Sequence, residues 1–473
     1  MKRYKQCIMI LADGARADVM EDLLQSGKLP AISEFVDSPR SAVSAFPSTT
    51  GPAYLPYLTG CYPGTCNLPG IRWFDKDAYA SKNFSKDRFR SYVGPESFFM
   101  NGDIDPERKT LFELIPNSIN IFSPINRGVS FYGDKTKFSR IWHWYYAHLT
   151  DRWGLIDEAA EKKTVEALKA NPEFLFVVFP GIDEFSHLAS PLHSRTHEAY
   201  QRLDRAVGRI VASLKQRGRW EETMVWIVSD HGLSETKNHL PLNQLLEGAG
   251  TPTLFYPKII FRRNFGAASM VSGNGMANLY FKNGSWKGRA SWEILKDRKD
   301  HIVDRLLERP EVDLLAAQRE DGSIVVKSRR GEASLKAGGR EGEIEYQIDG
   351  GDPFGYGPLP SKMTDRESLE RTVKTDYPDA LAQWLQIFRS SRAGDLILSA
   401  SKGNDLRLQY ELPEHKSSHG SLHREHMNVP LITNVKLPKQ PIRSVDVFPT
   451  VLQLLGRPVP SGIDGQSLDI ALS

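Results

Sequence analysis

Apolar residues fall along this chain in short, separated runs, and several of those runs end on a polar or glycine stop. Ile8-Met9-Ile10-Leu11-Ala12 closes on Asp13-Gly14, which reads as a strand followed by a turn. Phe174-Leu175-Phe176-Val177-Val178-Phe179 stops at Pro180-Gly181, and Met224-Val225-Trp226-Ile227-Val228 runs into Ser229-Asp230-His231-Gly232. Unbroken apolar runs of this length suit strands covered on both faces, as in a parallel sheet. Between them the period changes. Residues 17–24 and 156–169 have helical composition, and Leu203, Ala206, Val207, Ile210, Val211 and Leu214 recur at helical spacing. Such alternation predicts an α/β core whose mainly parallel central sheet is flanked by helices.

The texture shifts after about Leu246. From Pro257 to Asp395 the chain carries hairpin-like pieces, Gly322-Ser323-Ile324-Val325-Val326-Lys327 and Glu343-Ile344-Glu345-Tyr346-Gln347-Ile348, with one helix at about 292–307. Regular patterning resumes at Leu396-Ile397-Leu398. The tail at 445–456 reads as a helix stopped by Gly456. The division expected is a core made of 1–246 and 396–473, with 247–395 as an inserted α+β cap carrying substrate specificity. A chain of 473 residues is long enough for that arrangement.

Composition adds exclusions. A net charge of +3 without a long basic block gives no seat for nucleic-acid duplex binding. No apolar stretch approaches the length of a membrane span. The basic start Met1-Lys2-Arg3-Tyr4-Lys5 and the short run after it resemble a signal peptide, but the run passes into Asp13-Gly14 without a small-residue cleavage site, so it is read as the first strand. Three cysteines, Cys7, Cys61 and Cys66, argue against a disulfide framework. A cytoplasmic location is the expectation.

The candidate chemistry sits where the strands end. Asp13, Asp183 with His187, Asp230 with His231, and His419 in Ser418-His419-Gly420 are carboxylates and imidazoles suited to zinc or a similar divalent ion. Asp183 and His187 are four apart, so in a helical turn or a compact loop both reach one ion. Asp230 and His231 are adjacent, and converge only where the backbone leaves its pleat. Each piece alone has an ordinary reading, Asp13 as a helix cap or His419 as a loop histidine; the case lies in their order. A hydroxyl-rich turn, Phe46-Pro47-Ser48-Thr49-Thr50-Gly51-Pro52, lies between the first two pieces. Elsewhere, His423 and His426 read as exposed loop histidines and Gly351-Asp352-Pro353-Phe354-Gly355-Tyr356 as a plain turn. Trp142, Trp144, Tyr145 and Tyr146 around His143 read as core packing, with stacking on a nucleobase or acyl group as the alternative. Arg16 either meets a phosphate or caps a surface helix.

Taken together, these motifs resemble the type I phosphodiesterase/nucleotide pyrophosphatase branch of the alkaline phosphatase superfamily. The matching segments are Ile10-Leu11-Ala12-Asp13-Gly14, Phe46 to Pro52 with Leu58-Thr59-Gly60, Asp183 with His187, Ser229-Asp230-His231-Gly232, Ser418-His419-Gly420, and the tail helix. The resemblance implies an alkaline-phosphatase-like fold and two divalent metal ions, zinc first, with manganese or iron as alternatives. Asp183, His187 and His419 would hold one ion; Asp13, Asp230 and His231 the other, with Thr50 bound to it as nucleophile. Ser48 and Thr49 are competing hydroxyls; the Thr50-Gly51-Pro52 spacing selects Thr50. The implied activity is hydrolysis of a small-molecule phosphate ester, a phosphodiester or nucleotide pyrophosphate, through a phosphothreonyl intermediate. A phosphomonoesterase, phosphonate hydrolase or phosphomutase using the same site is the alternative, and a catalytically silent metal-binding protein a third reading. One position departs from the pattern: where the diesterases often carry Asn, three residues after the nucleophile, this chain has Ala53, with Tyr54 or a residue of the cap as the candidate substitutes. A sulfatase is disfavoured, because Cys61 and Cys66 lie outside a Cys-Xaa-Pro-Xaa-Arg context.

Overall fold

The computed structural model describes residues 4–36, 39–81, 88–256, 264–340, 342–407 and 415–470. Met1 to Arg3 of the basic start and 257–263 at the head of the expected cap lie outside the described residues. A first sheet contains β1 (Gln6–Ala12), β2 (Arg40–Val43), β3 (Ser118–Ile121), β4 (Phe174–Phe179), β5 (Thr223–Val228), β6 (Asn428–Thr433) and β7 (Ile442–Arg443). Their spatial order is β7-β2-β6-β5-β1-β4-β3. The strands β5, β1, β4 and β3 pair in parallel; β6 alone runs against its neighbours β5 and β2.

The three unbroken apolar runs form the centre of this sheet. Ile8, Ile10 and Leu11 of β1 are fully buried, as are Leu175, Val177, Val225 and Ile227 on its two neighbours. Burying a side chain of this size contributes about 1.5–3 kcal/mol, so the strands that lead into the acidic turns are anchored along their whole length. Register then sets the level of those turns. Ala12 lies opposite Phe179 and Leu11 opposite Val228, so the residues after β1, β4 and β5 emerge side by side at one sheet edge. The helix Ser194–Gln216 buries Leu203, Ala206, Val207, Ile210, Val211 and Leu214 and packs on the helices Gly154–Ala167 and Gly181–Leu188. The tail forms the helix Val447–Leu454, which packs on Leu55–Thr59, the helix that follows Thr50.

A second, nine-stranded sheet runs Thr253–Phe255, Ala267–Ser272, Met276–Phe281, Leu396–Ala400, Val312–Gln318, Ile324–Ser328, Gly331–Ala337, Glu343–Asp349 and Lys362–Thr364. All but its first pair are antiparallel. Leu396-Ile397-Leu398, expected to resume the first sheet, lies instead at the centre of the second. The reason is visible in its packing. Ile397 joins the apolar cluster around Trp384, whereas Leu396 and Leu398 join the one around Trp292 on the helix Trp292–Glu308. A strand covered on both faces has the same pattern in either sheet, so sequence cannot allocate it.

The aromatic stretch expected in the core also differs. In the helix Arg140–Thr150, Trp144 packs against Phe122 and Trp153, but Trp142, Tyr145 and Tyr146 are exposed. His426, read as an exposed loop residue, is buried. The Gly351–Tyr356 segment is a turn, with the Asp352 carboxylate accepting from the Phe354 and Gly357 N–H groups. Among the described residues no helix is long and apolar enough to cross a membrane.

Candidate metal centre

Asp13 leaves the end of β1, and Asp183 lies in the first turn of the helix that follows β4. Gly14 between them explains the turn. Its φ is +71°, and a Cβ there would lie 2.7 Å from the Cα and Cβ of Asp183. Only glycine permits both the left-handed backbone and that approach. On the helix, His187 lies one turn after Asp183, with Nε2 3.4 Å from Asp183 Oδ1. Asp230 and His231 follow β5 where pairing ends, and His231 Nε2 lies 3.2 Å from Asp230 Oδ2 and 3.6 Å from Asp13 Oδ1.

His419 is held from the second sheet. Its N–H donates to Gly273 O at 3.0 Å, and its carbonyl accepts from Gly275 at 2.7 Å. These residues form the turn between the strands Ala267–Ser272 and Met276–Phe281. At Gly273 a Cβ would meet the His419 ring at 2.6 Å. The segment read as a cap thus positions one of the candidate ligands.

Two triplets of ligand atoms converge within 4.8 Å: Asp183, His187 and His419, and Asp13, Asp183 and His231. The first coincides with the expected set. The second has Asp183 where the expectation has Asp230, so Asp183 lies between both groups. Asp230 remains beside it through its contact with His231, while its Oδ1 accepts from Gly14 N–H at 3.3 Å.

The imidazoles are oriented by backbone. Nδ1 of His187 faces Ser417 O at 2.7 Å, that of His419 faces Ser48 O at 3.0 Å, and that of His231 faces Gly232 O at 3.2 Å. A carbonyl accepts only, so each Nδ1 carries the proton when the ring is neutral, and each Nε2 presents its lone pair to the site.

Electrostatics point the same way. Burial, and then the charge of Asp183, push the Asp13 carboxyl up to about 8. Burial, then Asp13 and Asp183, raise Asp230 well above the usual carboxylate range. Burial works against ionisation of Asp183 too, but the His187 imidazole outweighs it and holds Asp183 below its ordinary value. Burial and the neighbouring imidazoles push His231 and His419 far down, so both are neutral. Asp183 Oδ1 and Asp230 Oδ2 are buried without a hydrogen-bond donor. Carboxylates crowded in this way, with unsatisfied oxygens and neutral imidazoles aimed between them, fit a divalent cation.

Of the three hydroxyls in the turn, Ser48 Oγ donates to Ser421 O at 2.9 Å and Thr49 is fully buried. Thr50 is partly exposed; its Oγ1 lies 3.1 Å from His231 Nε2 and 3.3 Å from Asp13 Oδ1. Ala53 is buried, with its N–H on Thr49 O. Tyr54 does not supply the missing amide: its O–H donates to Asp13 Oδ2 at 2.5 Å.

Sequence reasoning missed this role of Tyr54, and also that of Tyr57, whose O–H holds Ser229 O at 2.7 Å. It missed His415, whose ring lies 4.3 Å from that of His187. His426 Nδ1 accepts the Ser421 N–H, which leaves Nε2 to donate to Ser234 Oγ and braces the loop after His419. Arg16 is engaged with Asp18, Glu425 and Leu233 O, and its guanidinium is buried. His239 Nδ1 pairs with Asp405 at 2.8 Å.

A sheet edge of this kind, with Asp and His side chains converging beyond the strand ends and a hydroxyl among them, defines an alkaline-phosphatase-like α/β protein. The chain belongs to the type I phosphodiesterase / nucleotide pyrophosphatase family, which it matches over residues 7–422. That is a family of phosphate-ester hydrolases, and the buried Asp and His clusters are typical of it. Solved structures agree in fold. Phosphonoacetate hydrolase from Sinorhizobium meliloti 1021, in complex with phosphonoacetate, is 15% identical with a TM-score of 0.57, over 96% of each chain. Murine ectonucleotide pyrophosphatase / phosphodiesterase 5 is 13% identical with a TM-score of 0.57, also over 96% of each chain. An inactive form of that murine protein in complex with AMP matches at 12% identity over 96% of each chain, with a TM-score of 0.57. No curated protein matches this sequence.

Proposed function

We propose that this protein is a metal-dependent phosphoesterase that cleaves a phosphodiester or nucleotide-pyrophosphate-type bond, with Thr50 as nucleophile. The observation that carries the reading is the position of the Thr50 hydroxyl, the one hydroxyl of its turn open to solvent and in contact with both His231 and Asp13. Asp183, His187 and His419 would hold one divalent ion, and Asp13, Asp230 and His231 a second, with zinc as the first choice. Ions held by these residues would favour loss of the Thr50 hydroxyl proton and would offset charge on phosphoryl oxygens. Thr50 Oγ1 forms a bond to phosphorus as the bond to the leaving oxygen breaks. Water then attacks phosphorus, releases the phosphate group, and returns the threonine hydroxyl. The ring orientations of His187, His231 and His419 are fixed before substrate arrives, as preorganised catalysis requires.

Replacing Thr50 with Ala should abolish turnover of aryl phosphate esters while bound metal, measured on the purified protein, is retained. Turnover within tenfold of the wild type (a loss of about 1.4 kcal/mol or less) sinks the mechanism. Ala53 and the likeness to phosphonoacetate hydrolase favour a second reading, a monoesterase or phosphonate hydrolase. Comparing bis(p-nitrophenyl) phosphate with p-nitrophenyl phosphate and phosphonoacetate separates the two. A cytoplasmic location, suggested by the low and odd cysteine count of the sequence, is part of the proposal. Residues 247–395 are proposed to act as the substrate-selecting cap.

A further inference from the structure

Eleven of the fourteen exposed large hydrophobic side chains among the described residues fall between positions 93 and 155. Scattered exposure is ordinary on a protein surface, but concentration is not. The helix Arg140–Thr150 shows how it arises. Trp142, Tyr145, Tyr146 and Leu149 occupy positions i, i+3, i+4 and i+7, which is one face. That stripe points to solvent, while the opposite side meets Phe122 and Trp153 through His143, Trp144 and His148. Phe138 extends the stripe by one turn, and Tyr132 lies beside it through Phe131. Trp142 is 77% exposed, Leu149 83%, Phe138 75% and Tyr132 84%.

Exposure this high decides between occupants. A small apolar ligand needs a concave site that encloses most of its surface. These side chains project from the outer face of a helix and an adjoining turn, so they suit a broad surface. Their chemistry selects which one. Trp and Tyr with a polar edge belong to the lipid–water interface. Over 131–152 the exposed charges are the cations Lys135, Lys137 and Arg152 against the single carboxylate of Asp151. The Lys137 ammonium sits 4.9 Å from the Phe131 ring centre, and Arg152 Nη1 lies 3.4 Å from the Tyr146 hydroxyl. An apolar stripe flanked by cations matches a bilayer surface bearing anionic headgroups.

We infer that this face docks on an anionic lipid surface, with Phe138, Trp142, Tyr145, Tyr146 and Leu149 entering the headgroup–acyl boundary and Lys135, Lys137 and Arg152 meeting phosphates. The helix lies in the plane of the surface. The inference does not depend on the proposed catalysis, because its test reads binding alone. The full chain is sedimented with phosphatidylcholine vesicles prepared with and without phosphatidylserine. The wild type pellets with the anionic vesicles, and less as salt rises. Trp142→Ser combined with Leu149→Ser lowers the bound fraction at least tenfold, with an unchanged melting temperature because both sites are exposed. Lys137→Glu weakens binding to anionic vesicles and leaves neutral ones unaffected. Failure of the wild type to pellet overturns the inference. So does equal binding by the double variant, or a concentration-dependent dimer that Trp142→Ser converts to monomer without change in vesicle binding.

Discussion

Replacing Tyr54 with Phe isolates the support of one candidate ligand. Tyr54 is 1% exposed, its ring lies 6.2 Å from that of Phe176, and its O–H donates to Asp13 Oδ2 at 2.5 Å. Phenylalanine keeps the ring and its packing and removes only the donor. A hydrogen bond to a charged group contributes about 1.5–3 kcal/mol. At 1.4 kcal/mol per factor of ten, metal affinity should fall about 10- to 100-fold, the range expected when a ligand loses its outer partner.

The pH dependence gives this prediction a sharper edge. Burial and the Asp183 charge hold Asp13 at about 8 even though the Tyr54 hydrogen bond opposes them. Without that bond the Asp13 carboxyl rises further. Metal binds the ionised carboxylate, so protons compete below this value. The loss of affinity in the variant should therefore shrink well above pH of about 8, grow as pH falls toward that value, and level off below it. Zinc competition against a chromophoric chelator, run across that range, measures both effects. An affinity within twofold of the wild type at neutral pH would show that the phenol does not support Asp13. A loss of equal size at every pH would show that it acts by some route other than the Asp13 proton.

Two further perturbations test the scaffold. Burial pushes Asp157 up to about 7, against the Gly181 N–H that its Oδ1 accepts at 3.1 Å. The folded ion-free protein therefore holds that proton more tightly than the unfolded chain, and the stability this contributes is complete below pH of about 4 and lost as pH rises through about 7. Asp157→Asn should remove about 4 kcal/mol of that decline, seen as a smaller drop in urea midpoint between acidic and alkaline buffer; parallel profiles for variant and wild type refute it. Arg443 is buried between Asp379 and Asp365, at 2.8 Å from Asp379 Oδ2 and 2.9 Å from Asp365 Oδ1. Arg443→Met should cost about 3–5 kcal/mol by leaving a buried carboxylate unpaired, with part recovered on adding Asp379→Asn, which removes the charge and suits the left-handed backbone at that position; a urea midpoint unchanged in the single variant refutes it.

What the sequence disclosed follows from what a side-chain pattern can encode. β1, β4 and β5 were legible because they are apolar on both faces, and the residues that end them were legible as ligands because a strand end is where a turn exposes a polar side chain. Convergence of Asp183 and His187 needed only helical spacing. The carbonyls of Ser48, Ser417 and Gly232 that orient the three imidazoles left no trace, since every residue type supplies a carbonyl. The allocation of Leu396–Ala400 to the second sheet was hidden for a related reason: its alternation is satisfied by any pair of apolar faces. The aromatic side chains of Trp142, Tyr145 and Tyr146 misled in the opposite sense. A helical apolar face is read as core by default, and nothing local in the sequence says that the facing surface is water.

The way the ligands are spread along the chain also accounts for how the site stands up to its own charge. Asp13, Asp183 and Asp230 repel one another in a buried place, and burial with that repulsion raises the carboxyls of Asp13 and Asp230 above their ordinary range. Local flexibility would let them separate. Here they are fixed from outside the site: Asp13 by the pairing of β1 and by Tyr54, Asp183 by the close approach of Gly14, and Asp230 by the Gly14 N–H. His419 is carried in by a turn of the second sheet, so the first triplet is complete only when both sheets are in place. Each restraint belongs to a different element, and the energy that opposes the repulsion is therefore the burial energy of the whole core rather than of any one loop. Restraints placed outside the site in this way would leave little of a cation's binding energy to be spent on rearrangement.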